Sequence, residues 1–470
     1  MTYHFLGNMQ DKASDAVTKT LEAIRGRFSR AVFFANTHTK TYLESPVSAS
    51  YITEGYVVPQ LAAASLGCGM GVVHTGRKYV SPKESERFFR SLVADILSPR
   101  LSYNASFIKN ILVWVGINSV PKSPHDPAHI AHAHEILTSG AQLLKREGII
   151  DDTQLNSTEF RGNIMTKEEQ SLFSPQDIPR SLVRFTNNLG NGYFDGEHFL
   201  ELHRVESVVD EAQAKLWDIE INDLLLFYHY SGSPIAFYMG RYFSKRTKHG
   251  VRETIFRLIP KILFHFCSWD GISRLHARWS AYFTIRGSSV AIHSPEGGRA
   301  LRAHKAAVNG AYYHHALLIR RLLTSLEQVT SGRNRDPRLI WSSVHNIITN
   351  TEDAQPSVLH THGSVPIEHS KPVIISGHNN TLAYICVEGA NAYKSLHTAC
   401  NSASTRDIDK RSPTLAKHSQ GYTTTIIHQE KTIIVPHVED VYTDAIIQPL
   451  IDKKILKKVV TLRPICAYKE

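Results

Sequence analysis

Nowhere in these 470 residues does an uninterrupted apolar run reach about 18, so no helical membrane span is expected. Cysteine is scarce: Cys68, Cys267, Cys386, Cys400 and Cys466 form an odd set without a CxxC pair. That argues against a disulfide framework and for a reducing, cytoplasmic setting. The opening MTYHFLGNMQDKASD lacks the basic-then-apolar order of a secretory signal. Internal repeats and low-complexity tracts are missing as well, which excludes solenoids. With 42% hydrophobic and 20% charged residues the chain can bury an ordinary globular core. The 53 Lys+Arg exceed the 43 Asp+Glu, giving +10 without one dominant basic run. A folded surface of that sign favours an anionic partner, nucleic acid or nucleotide. The 26 histidines make accidental pairs common, so a lone histidine carries little weight.

The chain is organised around YVVPQLAAASLGCGMGVVHT (56–75), which passes from an extended apolar piece into a glycine-rich turn around Cys68. Glycine permits positive φ and close backbone approach, so a thiol fits there at a crowded place. Two readings stand at this point: a small buried hydrophobe, or a thiolate metal ligand with distant partners. Residues 14–35 read as a helix leading into the strand AVFFA. Ser81-Pro82-Lys83-Glu84 reads as a capped helix start, and ILVWVGI (111–117) as a buried strand. His129, His132 and Glu135 share a helix face that could bind a metal, but a solvated face explains it better, since the spacing is not HExxH. Residues 118–182 are expected as a surface insertion. FDGEHFLELHRV and INDLLLFYHYSGS are strands carrying His198 and His229, and WSSVHNIITN places His345 at another strand end. Ser294-Pro295 opens the longest helix, 294–329, and KPVIISGHNNTLAYICV reads as strand, turn, strand. One sulfur and several imidazoles, each closing a buried stretch, make a transition-metal set. Cys267, Cys386, Cys400 and Cys466 read as buried, inert thiols.

In order along nearly the whole chain, these segments resemble the RtcB-type RNA ligases, the tRNA-splicing ligases. VVPQLAAASLGCGM resembles the family's VVP…DIGCGM, GEHFLEL its GNHFIEV, and HYSGS its HSGSRG. The SPEG helix start, SVHNIITNTE, KPVIISGHNNTLAY, SLHTACNSAS and the terminal LRPICAYKE follow in the family's order. The resemblance implies an α+β fold with central β-sheets flanked by helices around a buried metal site, in a single catalytic domain. It implies joining of RNA 3′-phosphate or 2′,3′-cyclic phosphate ends to 5′-hydroxyl ends. It implies GTP as co-substrate and a two-metal site, usually of Mn²⁺, with another divalent ion as the alternative. By position, Cys68, His198, His229 and His345 match metal ligands, and His397 matches the histidine that becomes guanylylated. Glu197, Glu201, Thr381, Asn401 and Lys469 match nucleotide-binding positions. RNA, such as tRNA halves, and a protein activator are the implied partners. The chain departs from the family at Ser65, where an Asp is usual, at Glu197 in place of Asn, and over Thr398–Asn401 in place of Gly-Ala-Gly-Arg. These departures leave open a non-catalytic protein that binds RNA ends, and a metal-dependent phosphoesterase. They also leave open a His397 that merely fills a turn.

Overall fold

The structure is a computed structural model. It describes residues 2–7, 11–24, 26–38, 45–62, 66–97, 133–179, 182–183, 198–243, 251–266, 272–283, 289–329, 333–351, 356–378, 380–402, 418–428, 431–438 and 441–469. Its larger sheet runs β13 (Val373–Ile375), β14 (Ala383–Glu388), β18 (Leu456–Lys469), β6 (Phe199–Val208), β7 (Asp223–Tyr230), β5 (Gly69–Lys78) and β9 (Arg338–Val344), in that lateral order. Neighbours along this path are antiparallel. β16 (His418–His428) adds to β18 in parallel and pairs antiparallel with β17 (Lys431–Val438). A second sheet orders β1 (Thr2–Leu6), β2 (Phe28–His38), β3 (Val47–Glu54), β11 (Ser357–His362) and β10 (Ile348–Asn350). Two short pairs complete the strands: β4 (Tyr56–Val57) with β8 (Val290–Ala291), and β12 (Ser364–Pro366) with β15 (Thr398–Cys400).

The large sheet is buried on both faces, which is why DLLLFYHY reads as a near-continuous apolar run. Leu200, Leu202, Leu224, Leu226 and Tyr228 face Phe89 and Leu92 of the helix Pro82–Leu97 and Ile319 and Leu322 of the long helix Pro295–Gln328. Phe199, Val205, Leu225 and Phe227 turn the other way, onto Met70, Val72, Ile374 and Leu462. That second layer joins β5–β7 to β13–β14, so the sheet curls onto itself. The long helix starts as its sequence predicts: Pro295 is the first residue, and the Ser294 hydroxyl accepts from Gly297 N at 3.0 Å. Ala303, Ala306, Ala307 and Ala311 are fully buried, so a small-residue face carries this helix close against its neighbours.

The architecture is the expected α+β arrangement of central sheets with flanking helices. The expected surface insertion is a different matter. Residues 118–132, with His129 and His132, lie outside the described residues, as does the strand expected at 111–117. The described remainder is no excursion: Ile136, Leu137, Leu143, Leu144, Leu155, Ile164 and Ile178 are buried against Ala303 and Ala307 of the long helix. The polar count misled because this stretch folds as short helices, none of which buries more than three apolar residues. Asn309 ties it down, donating to Leu137 O at 3.1 Å and accepting from Ile164 N at 2.9 Å.

Candidate metal centre at one rim of the large sheet

Alternate strand ends of an antiparallel sheet meet at one rim, and the candidate residues collect there. Cys68 directly precedes β5, His198 directly precedes β6, His229 is the penultimate residue of β7, and His345 directly follows β9. The register aligns them: Gly69 pairs with both Tyr230 and Val344, and Phe199 pairs with His229. Tyr468 pairs with Leu200, which brings Lys469, the last residue of β18, to the same rim.

The side chains follow. Cys68 Sγ stands 3.8 Å from His198 Nε2. The His198 and His229 ring centroids are 4.9 Å apart, and those of His229 and His345 are 5.2 Å apart. His345 N donates to Cys68 O at 2.7 Å, locking two of the four segments together. On its ring, Nδ1 donates to Asn401 Oδ1 at 2.8 Å, while Asn401 Nδ2 donates to Ile374 O at 2.8 Å. Lys469 Nζ lies 5.8 Å from the Phe199 ring centroid, beside His198 in sequence.

The glycines of the turn are there for space. A Cβ on Gly69 would meet Ser343 O, the His315 ring at 2.7 Å and Val344 Cα at 3.0 Å. Gly67 has φ +73°, and Asn346, which follows His345, has φ 65°, a conformation asparagine tolerates better than most residues.

As placed, no three or more His, Cys, Asp or Glu side chains among the described residues converge on one point, so the set forms adjacent pairs rather than a closed shell. The donors nonetheless fit a metal. Sulfur and nitrogen held at ~2.3 and ~2.0 Å on one tetrahedral ion stand ~3.6 Å apart, close to the Cys68–His198 spacing. The Asn401 contact is the kind of outer support that fixes the tautomer of an imidazole, so Nε2 is the nitrogen that would face an ion.

The remaining candidates divide. Asn401 is at the rim, but against His345 and not in an open nucleotide pocket. Glu201 is buried on β6, with the His203 ring nitrogen Nε2 3.0 Å from its carboxylate. Thr381 is fully buried in the loop between β13 and β14, where its hydroxyl accepts from His378 N at 2.6 Å. Both side chains are closed to a nucleotide as placed. Glu197 and Ser65 lie outside the described residues.

His397 is not brought to the cluster. Its side chain is 56% exposed, and Nδ1 sits 3.9 Å from Glu388. Glu388 pairs with Leu456, the end of β18 opposite Lys469. Only four residues separate His397 from Asn401, so it lies within about 14 Å of the rim without touching the four side chains there. His397 occupies a left-handed turn, φ 51°, stepping into β15. The residue of SLHTACNSAS that contacts a rim histidine is Asn401, against His345.

Two residues at the site carry no sequence signal. His315, on the long helix, packs under Gly69 and stands 3.2 Å from Ser231 O; burial pulls its pKa down to about 3, so it is neutral. Glu159 accepts from Val344 N at 3.0 Å and from the Tyr312 hydroxyl at 2.7 Å, closing the outer edge of β9 one residue before His345. Burial, reinforced by Glu368, pushes its carboxyl up to about 8. Cys386, Cys400 and Cys466 are buried thiols, pushed up to about 12 by burial; Cys267 lies outside the described residues.

A family model described as tRNA-splicing ligase RtcB matches residues 45–470. No curated protein matches the chain.

Proposed function

The chain belongs to the RtcB tRNA-splicing ligase family, and from that membership we propose that its rim cluster takes RNA 3′-phosphate or 2′,3′-cyclic phosphate ends together with a divalent metal ion. Cys68, His198, His229 and His345 hold the ion, Mn²⁺ in the family's usual chemistry. A bound divalent ion neutralises the charge by which phosphate resists attack. Lys469 and the net charge of +10 draw the RNA end in. Lys469 also remains the residue best placed to meet a guanine nucleotide.

Ligation through a guanylylated histidine asks for an imidazole at the rim beside the metal ligands. The single observation that supports one reading over the other is the Asn401 contact on His345. A carboxamide is not among the side chains that form covalent intermediates, and the His397 ring stands by Glu388 without touching the rim histidines. The reading supported best is metal-dependent binding and processing of RNA ends without a GMP adduct on His397.

The test incubates the protein with Mn²⁺, α-labelled GTP and RNA ending in 3′-phosphate or 3′-hydroxyl. Expected are Mn²⁺-dependent binding that prefers 3′-phosphate and is lost in His345→Ala, and no His397-dependent label on the protein. An acid-labile label that vanishes in His397→Ala restores the GTP-dependent ligase and overturns this reading.

A further inference from the structure

A cavity of about 760 Å³ opens at the end of the large sheet where β18 begins. Three parts of the chain line it: Phe5 and Arg30 from β1 and β2, the turn carrying Tyr393 and Lys394, and Lys453–Lys454 just ahead of β18. Four full cations, Arg30, Lys394, Lys453 and Lys454, face a lining with one carboxylate, Asp452. The three lysines are exposed. Lys453 Nζ donates to Phe5 O at 3.2 Å, so one ammonium also ties β1 to the rest. The Tyr393 ring is 54% exposed, with Lys394 Nζ 5.9 Å from its centroid. Like charges crowded at one opening repel, and an anion placed among them relieves that repulsion. An exposed ring beside lysines, over the apolar floor of Phe5, is the arrangement on which a base stacks while flanking phosphates meet ammonium groups. β1 and β2 lie ahead of residue 45, so four of the twelve lining residues, His4, Phe5, Leu6 and Arg30, fall outside the family match.

We propose that this cavity is a second contact for single-stranded RNA, holding one base against Tyr393 and the adjacent phosphates on the lysines. The proposal rests on the reading that RNA is what the rim takes, and it adds a separate binding point. Leu396 in the cavity wall is five residues from Asn401 at the rim, a span of at most about 18 Å. An RNA long enough to cross that span reaches both places, and a di- or trinucleotide only the rim.

Fluorescence anisotropy with a short and a long single-stranded RNA, each with 3′-phosphate or 3′-hydroxyl, tests this over a range of salt. For the long RNA, Lys394→Ala with Lys454→Ala lowers the slope of log affinity against log salt by about 1.4, two phosphate contacts at ~0.7 each. Tyr393→Ala weakens the long RNA by about fivefold or more with the slope unchanged. Neither variant alters the 3′-phosphate preference of the short RNA. These side chains are exposed, so loss of fold does not confound the comparison. Unchanged slope and affinity in the lysine variant overturn the proposal. Equal losses for heparin with Tyr393→Ala silent also overturn it, leaving a polyanion patch without a base site. Wild-type protein that ignores the 3′ end refutes the rim reading instead, and the lysine and tyrosine results then still decide the cavity.

Discussion

Replacing Glu159 by glutamine removes a charge that folding is forced to suppress. Its carboxyl is 1% exposed, and its neighbours are Val344 N, the Tyr312 hydroxyl and the raised carboxyl of Glu368; the sum leaves a folded pKa of about 8 against 4.5 for the ordinary group. Between those values the native state binds more protons than the unfolded one, so stability falls as pH rises from 4.5 to 8. At 1.36 kcal/mol per unit, the loss between pH 4.5 and pH 7 is about 2–3 kcal/mol. The glutamine side chain has the same shape, accepts the same two hydrogen bonds through its oxygen, and does not titrate. Glu159→Gln should therefore match wild type in urea unfolding near pH 4.5 and exceed it progressively toward pH 7, levelling above pH 8. A constant difference between the two proteins across that range, or a wild type that gains on the variant as pH rises, refutes the reasoning.

Two further changes probe the rim. Asn401→Ala removes the outer support of His345 and should weaken divalent-metal affinity by roughly 10–100-fold, read by competition with a chromophoric chelator; unchanged affinity would separate Asn401 from the metal centre. Gly69→Ala puts a methyl group into Ser343 O and the His315 ring, and should cost about 1–3 kcal/mol in urea unfolding while loosening metal binding. An unaltered midpoint means the β5–β9 spacing is not as tight as described.

The meeting of His198, His229 and His345 was legible because each stands at an end of a long buried strand, and antiparallel pairing brings such ends to one rim. His397 was not, for the opposite reason. β15 is three residues long, and its place is set by β12 and by the Asn401 contacts to Ile374 and His345, none of them local. A four-residue shift along SLHTACNSAS decides whether a nucleophile or an amide meets the metal, and no periodicity in so short a strand fixes it. The packed segment 133–183 escaped because burial there is divided among short helices. Glu159 escaped because nothing local distinguishes a carboxylate destined for a strand edge from one on the surface. Long elements carried their own evidence, whereas residues placed by distant partners did not.

The proposal that Cys68 and the rim histidines take a metal ion underlies all of this, and cobalt tests it directly. Co²⁺ added to metal-free protein should produce a thiolate-to-cobalt charge-transfer band in the near ultraviolet. That band should be absent in Cys68→Ser, diminished in His345→Ala and intact in His397→Ala. A wild-type spectrum without the band, or a band that survives Cys68→Ser, contradicts the metal centre.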